Sequence, residues 1–210
     1  MNKEDFYDID IDEDEAIQKS CVGDIFYLKE LKQRKLYLTD DISPYSVADT
    51  VRHILQFNAE DVGIEPAGRK PITLYIASIG GDVDPGFELI DVIRASKTPV
   101  HIVCMGYCYS MGFLILIAGH KRYALKNAKF LMHDGSDCAY GSTSKVKDRI
   151  LFNDRFEERI KDYVLKQTSI TSEQYDDNRR VEWYMFADEA KANGVIDCII
   201  GEDCEIDEVV

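Results

Sequence analysis

The sequence predicts an α/β protein in which strands and helices alternate as stacked βα units. Two apolar runs, Ile72–Ser78 and residues 100–104, have the composition of strands that are buried on both faces of a sheet. Each run is followed by glycines and then by a helical pattern, which starts at Pro85 after the first run and at Met111 after the second. This repeated order favours a parallel sheet with right-handed crossovers. A chain of 210 residues, 45% of them apolar, can bury a core of this kind.

The segments before the first apolar run predict three further elements. A short helical pattern from Ile25 leads into Lys35–Leu38, a candidate first strand. Residues 43–56 form an amphipathic pattern with Ser43 near its start, which is typical of a capped helix. Residues 59–71 are polar and contain glycine and proline, so we expect a loop there.

The segments after the second helical pattern predict a third strand and a long helix. Residues 126–132 form a strand-like run that ends at His133, and a polar segment follows. Residues 143–167 then carry apolar side chains at spacings near three and four, the pattern of a helix with one apolar stripe. Such a stripe can be covered by a partner or can pack on the protein's own sheet.

Ser110 lies where the second strand is expected to turn into a helix. Gly106 and Gly112 bracket it and can relieve the backbone at the reversal. The first N–H groups of a helix lack internal partners and can stabilise an oxyanion, so a serine here can serve as a nucleophile. The alternative is an ordinary N-cap serine before a core helix.

Two other strand ends carry groups that suit the same chemistry. Gly80 and Gly81 follow the first apolar run, and adjacent glycines let backbone N–H groups approach a bound group closely. His133 ends the third run and is a candidate general base, although a single histidine is more often structural. Glycines, serine and histidine at three successive strand ends are unlikely to coincide by chance.

Taken together, these motifs resemble the signature of the ClpP family of serine peptidases. The matching segments are Ser78-Ile-Gly-Gly81, Cys104-Met-Gly-Tyr-Cys-Tyr-Ser-Met-Gly112, Met132-His133 and Phe186-Ala-Asp-Glu-Ala190, and the likeness extends from about Asp24 to Ile200. The resemblance implies the ClpP/crotonase fold, with a protruding handle strand and a long helix between stacked rings. It implies three parts of the chain, namely residues 1–23, 24–200 and 201–210, of which the first and last are acidic tails.

By the resemblance, the protein is a serine endopeptidase that acts on peptides and unfolded proteins. Ser110 is then the nucleophile and His133 the general base, while the N–H groups of Gly81 and Met111 form the oxyanion hole. The third triad position falls on Glu182. Asp176 or Asp177 could take that role instead, or no acid could. The resemblance also implies a homo-oligomer of stacked heptameric rings, a AAA+ unfoldase as partner, and no metal or cofactor.

The chain departs from the family pattern at four points. Ile79 stands where the family usually has proline, and the segment after His133 lacks the usual proline. The first residues are acidic, unlike the family's usual axial loop. The acid at position 182 is a glutamate rather than an aspartate.

Charge and composition exclude several function classes. Residues 1–15 hold eight acids and one lysine and residues 201–210 hold five acids, so about −2 of the net charge of −14 remains for the rest of the chain. We therefore expect solvated acidic tails and neither nucleic-acid nor membrane binding. No run reaches the ~18 apolar residues of a membrane span, and no signal peptide is recognisable. The six cysteines lack a CxxC pair, which favours reduced thiols in the cytoplasm.

Other functions remain as alternatives. The chain could be a catalytically silent ring subunit or a crotonase-like binder of acyl-CoA. Crotonase-type sites need no Ser–His pair, whereas this chain has both Ser110 and His133, which favours the peptidase. Cys108 is a weaker candidate nucleophile than Ser110. Cys104 and Cys108 could be imagined as metal ligands with His133, but no second Cys/His pair completes such a site.

Overall fold

The computed structural model describes residues 22–136 and 138–209. The chain divides into two compact units, with the boundary between Lys35 and Leu36. The first unit contains one described helix, and the second contains the sheet and the remaining helices. Most of the acidic segment expected in residues 1–23 lies outside the described residues.

Helices and strands alternate along the described chain. In chain order the elements are α1 (Val22–Lys32), β1 (Lys35–Leu38), α2 (Pro44–Glu60), a 3-10 turn (Pro66–Gly68), β2 (Ile72–Ser78), α3 (Val83–Ala95), β3 (Val100–Tyr109), α4 (Met111–Leu116), β4 (Lys121–Leu125), β5 (Lys129–Met132), α5 (Thr143–Gln167), α6 (Ser172–Asn178), β6 (Trp183–Phe186), α7 (Ala187–Ala192), β7 (Cys198–Ile200) and a second 3-10 turn (Ile206–Glu208). None of the helices in the described part of the chain combines the length and the apolar character needed to cross a bilayer.

The strands of the described residues form one branched sheet. Its main path runs β1-β2-β3-β4-β7, and β5 pairs with both β3 and β6. β3 is long enough to pair with β4 through its first half and with β5 through residues 107–109, and all these pairings are parallel. β5 and β6 are antiparallel. The carboxyl ends of β2, β3 and β5 therefore lie next to one another, and this edge carries the candidate site.

The core lies between the sheet and helices α2, α3 and α4. α2 contacts α3, α3 contacts α4, and α4 packs on β2 and β3. Its completely buried side chains include Ile76, Ile93, Ile102 and Phe113. Burying each side chain of this size contributes about 1.5–3 kcal/mol to the stability of the fold.

α2 is capped by Ser43, as expected. The Ser43 side chain accepts a hydrogen bond from the Ser46 N–H.

The predicted α/β class and the βα alternation are confirmed, but two strands differ from expectation. β3 continues past Gly106 to Tyr109, with a register shift against β2. The run at residues 126–132 is a turn followed by the shorter strand β5. β4 was not expected because it opens with Lys121 and Arg122. Arg122 makes an ion pair with Asp197 at 2.6 Å, which offsets the cost of placing a cation in a strand.

The long helix forms over the predicted residues, but its handle strand does not. Val164 is the buried residue of α5, whereas Ile150, Leu151 and Phe152 are exposed. The protruding strand expected beside this helix is absent from the described residues 133–136 and 138–142, which have no regular structure. Residues 133–141 contain two glycines and no β-branched residue, a composition that disfavours a strand.

The C-terminal segment packs on the sheet instead of extending into solvent. Cys204 and Val209 are buried in a cluster with Tyr75 and Tyr123. The Tyr75 hydroxyl donates a hydrogen bond of 2.7 Å to the Val209 carbonyl. The acidic side chains of Glu205 and its neighbours stay exposed. The expectation of a wholly solvated tail is therefore wrong for the described residues 201–209, because two apolar side chains anchor it.

Candidate active site

Ser110 occupies a strained turn between β3 and α4. Its φ and ψ are 52° and −118°, a combination that non-glycine residues rarely adopt. The Ser110 N–H donates a hydrogen bond of 2.9 Å to the Leu131 carbonyl, which ties the turn to β5. The serine itself therefore makes the reversal that was expected of the flanking glycines. Gly106 lies within β3, and an added Cβ there would meet no atom within 4 Å.

Gly80 packs its backbone directly against this turn. A Cβ at Gly80 would lie 2.8 Å from the Ser110 Cβ and 2.8 Å from the Tyr109 carbonyl oxygen. Its φ of 99° is also unfavourable for any side chain. Only glycine fits here without displacing Ser110. The sequence predicted that the glycine pair supplies N–H groups, but it did not predict the steric role of Gly80.

Gly81 presents its N–H group on the side away from Ile42. The Ile42 N–H donates to the Gly80 carbonyl at 2.8 Å, and the Asp82 N–H donates to the Ile42 carbonyl at 2.7 Å. Because successive residues of an extended chain direct their backbone groups to opposite sides, the intervening Gly81 N–H faces the other side. A Cβ at Gly80 would lie 3.0 Å from the Met111 nitrogen, so this segment borders the start of α4.

The N–H groups of Gly81 and Met111 are both available as donors. Among the described residues, neither donates a hydrogen bond. Met111 is the first residue of α4, where backbone N–H groups have no helical partner. Two uncommitted N–H groups beside a serine can stabilise a negative oxygen.

A cavity of about 60 Å³ opens beside Ser110 and is also lined by His133. Its other walls are mostly apolar and come from several helices: Val83, Met111, Phe113, Leu114, Ile160, Val164 and Tyr175. The structure thus brings Ser110, Met111 and His133 to one cavity. Among the described residues, however, no hydrogen bond joins Ser110 to His133.

An ion pair closes part of the cavity. Arg179 donates a hydrogen bond of 3.1 Å to Glu157, and both side chains line the cavity. The Arg179 carbonyl accepts a hydrogen bond of 2.7 Å from the Asp134 N–H. This contact joins the segment after His133 to the end of α6. Burial raises the pKa of the neighbouring Tyr175 hydroxyl, so that wall stays neutral.

Glu182 and His133 both lie next to the end of the β5–β6 pair. β5 and β6 pair Leu131 with Tyr184 and Met132 with Trp183. His133 follows Met132 and Glu182 precedes Trp183, so both residues adjoin the last pair of this register. In the described residues the Glu182 carboxylate bonds the Tyr184 hydroxyl at 3.1 Å and makes no hydrogen bond to His133.

The two alternative acids lie on α6. Asp176 binds the Lys161 ammonium at 2.6 and 2.8 Å, and this hydrogen bond lowers the pKa of the Asp176 carboxyl. Asp177 is exposed. Tyr175 and Arg179 from this part of the chain line the cavity, but neither aspartate does.

Cys108 is placed unfavourably for a nucleophile. Its side chain is completely buried, and it pairs with Phe130 of β5. Burial raises the pKa of the Cys108 thiol well above its usual range, and the neighbouring Cys104 adds to the shift. The thiolate form, which reacts, is therefore disfavoured.

Comparisons with known proteins agree with this architecture. The family model described as Clp protease matches residues 19–203 of the chain. The ATP-dependent Clp protease proteolytic subunit 2 of Treponema pallidum (strain Nichols) is 27% identical over 184 residues, which cover 87% of this chain and 89% of that protein.

The contact between Gly80 and Ser110 yields a prediction. Gly80→Ala should slow labelling of Ser110 by a fluorophosphonate probe by about a hundredfold, because the new Cβ displaces the serine from its turn. Labelling rates followed by mass spectrometry provide the measurement. Gly106→Ala is the matched control, since open space surrounds that position. Equal rates in the two variants, with unchanged circular dichroism, would contradict the steric role of Gly80.

Proposed function

The chain belongs to the Clp protease family, and we propose that it hydrolyses peptide bonds through Ser110, His133 and Glu182. As a member of this family it is a serine-type peptidase, the proteolytic subunit of a Clp protease. The assignment of individual residues is the new part of the proposal. It is supported chiefly by the strained Ser110 turn, which lies beside the uncommitted N–H groups of Gly81 and Met111.

In the proposed reaction, the Ser110 hydroxyl attacks the peptide carbonyl while His133 takes the hydroxyl proton. The carbonyl oxygen becomes negative and accepts hydrogen bonds from the Gly81 and Met111 N–H groups. His133 then gives its proton to the leaving amine, and an acyl-serine remains. Water hydrolyses this ester with His133 again as the base. Glu182 holds the imidazole in the required tautomer and stabilises its cation.

The Ser110–His133 and His133–Glu182 hydrogen bonds have still to form in this scheme. In the proposal, the side chains rotate to form them: His133 shares the cavity with Ser110, and His133 and Glu182 adjoin the paired residues Met132 and Trp183. Catalytic hydrogen bonds of this type often tighten only when substrate binds. We therefore expect the peptide to complete the triad.

The cavity beside Ser110 indicates which residue the enzyme prefers next to the cleaved bond. Its walls are formed largely by Met111, Phe113, Leu114 and Val164, so an apolar side chain of the substrate would exchange water for apolar contact. The Glu157–Arg179 ion pair satisfies the charges at its edge. Peptides with an apolar residue on the carbonyl side of the bond are the proposed substrates.

Covalent labelling tests the nucleophile and the base. A fluorophosphonate probe should modify Ser110, and His133→Ala should slow the reaction by ~10²- to 10⁴-fold because the general base is lost. Peptide mass spectrometry locates the adduct. Labelling that persists in Ser110→Ala would disprove the assignment, and an unlabelled, assembled protein would favour a catalytically silent ring subunit.

The choice of acid is tested separately. Glu182→Gln should reduce peptidase turnover by at least roughly a hundredfold, since loss of an orienting carboxylate can cost about 10⁴. Asp176→Asn and Asp177→Asn should stay within a few-fold of the unmodified enzyme, because their carboxylates do not line the cavity. A fluorogenic peptide measures all three variants. A damaging aspartate variant together with a normal Glu182→Gln would move the role to α6.

We also propose that the subunits form stacked heptameric rings through α5. Ile150, Leu151 and Phe152 expose half or more of their surface on consecutive positions of this helix. Phe152 also stacks on Phe156, with ring centroids 6.4 Å apart, so the apolar surface continues along the helix. A patch of this kind is typical of an interface between chains.

Solution mass tests the assembly. The rings should give a mass many times the 24.0 kDa of one chain in light scattering at micromolar concentration. Phe152→Glu places an unpaired charge in the proposed interface and should lower that mass. Lys147→Glu, on an exposed polar position of the same helix, is the control. A mass near 24 kDa for the unmodified protein would contradict the interface.

Two expectations stay predictions. A AAA+ unfoldase as partner is supported by the words "ATP-dependent" in the name of the Treponema pallidum relative. The acidic residues 1–15 differ from the family's usual axial loop. The second is the cytoplasmic location, which the cysteine pattern favours.

A further inference from the structure

Within the described part of the chain, the proposed triad acid Glu182 is hydrogen-bonded by Tyr184. Its hydroxyl donates a hydrogen bond of 3.1 Å to Oε2 of Glu182. The two residues are separated by Trp183, and alternate residues of an extended strand point to the same face of the sheet. The register of β5 and β6 puts Leu131, two residues before His133, on this face as well.

The ring of Tyr184 is itself held in place. It packs edge to face on Tyr109, with ring centroids 5.9 Å apart and an angle of 89° between the planes. Tyr109 directly precedes Ser110, so the contact links β6 to the turn that carries the nucleophile. The hydrogen bond to Glu182 raises the pKa of the Tyr184 hydroxyl, which therefore remains a donor at neutral pH.

This arrangement leaves one oxygen of the carboxylate for the histidine. A carboxylate can accept hydrogen bonds at both oxygens. With Oε2 bonded to Tyr184, Oε1 is available to the His133 N–H. Glu182 is exposed and has one more rotatable bond than an aspartate, so without a second contact its carboxylate would sample many orientations.

We propose that Tyr184 is a positioning residue of the proposed peptidase, whose hydroxyl holds the Glu182 carboxylate toward His133. The inference rests on the proposed function of Glu182 as the triad acid. It also accounts for how a glutamate can serve at this position. The extra bond of Glu182 is restrained by a neighbour on the same strand.

The first test is removal of the hydroxyl. Tyr184→Phe keeps the ring on Tyr109 and should lower kcat by about fivefold, the effect of one hydrogen bond, with KM unchanged within about twofold. Tyr107→Phe is the matched control. Its ring lies in the same aromatic row, 5.5 Å from Tyr109, and in the described residues its hydroxyl makes no hydrogen bond. Wild-type kcat in Tyr184→Phe would overturn the proposal, and so would a faster enzyme, because the hydroxyl would then compete with His133.

A double-mutant cycle separates positioning from a structural role. If Tyr184 acts through Glu182, the Tyr184→Phe change should have no further effect on kcat in a Glu182→Ala background. A fivefold loss that persists in that background would mean a purely structural role and would overturn the inference. If Glu182→Ala alone retains normal activity, the triad assignment fails first. A slow Glu182→Ala enzyme with a normal Tyr184→Phe enzyme would leave the triad intact and disprove the positioning role alone.

Discussion

The contact between the Gly80 backbone and the Ser110 turn holds the candidate site together. Ser110 adopts a backbone conformation that is unfavourable for a side-chain-bearing residue, so its neighbours must stabilise it. The Leu131 carbonyl binds the Ser110 N–H from one side, and Gly80 fills the space on the other. Through these two contacts the ends of β2, β3 and β5 fix one another. A change in any of these strands therefore reaches the serine.

The charges around the site are mostly neutralised in pairs. Arg179 binds Glu157 and Lys161 binds Asp176, so the cavity itself can remain apolar. The proposed oxyanion donors are backbone N–H groups, which carry no net charge and need no counter-ion. Stabilisation of the reaction would then depend on the geometry of Gly81 and Met111 rather than on the strongly acidic composition of the chain. Salt should affect the chemical step less than it affects association with charged partners.

The sequence predicted the parts of the fold that have strong apolar patterns. β2 and α5 appear over the expected residues because buried strands and long amphipathic helices have clear periods. β4 was missed since its Lys121 and Arg122 look unlike a buried strand, and α6 was missed because it is short and polar. The sequence also predicted which strand ends carry a nucleophile, an N–H donor and a base, namely those at Ser110, Gly81 and His133. The steric role of Gly80 and the contact of Tyr184 with Glu182 depend on tertiary register, which local composition does not encode.

The packed C-terminal segment makes the sheet sensitive to changes at Val209. Val209 is buried against Tyr75 and Tyr123, and its carbonyl is bonded, so the last described residue is part of the core. A charged side chain in place of Val209 would compete with this packing, because it would have to enter an apolar cluster. Loss of the Val209 side chain would uncover two tyrosine side chains on the sheet.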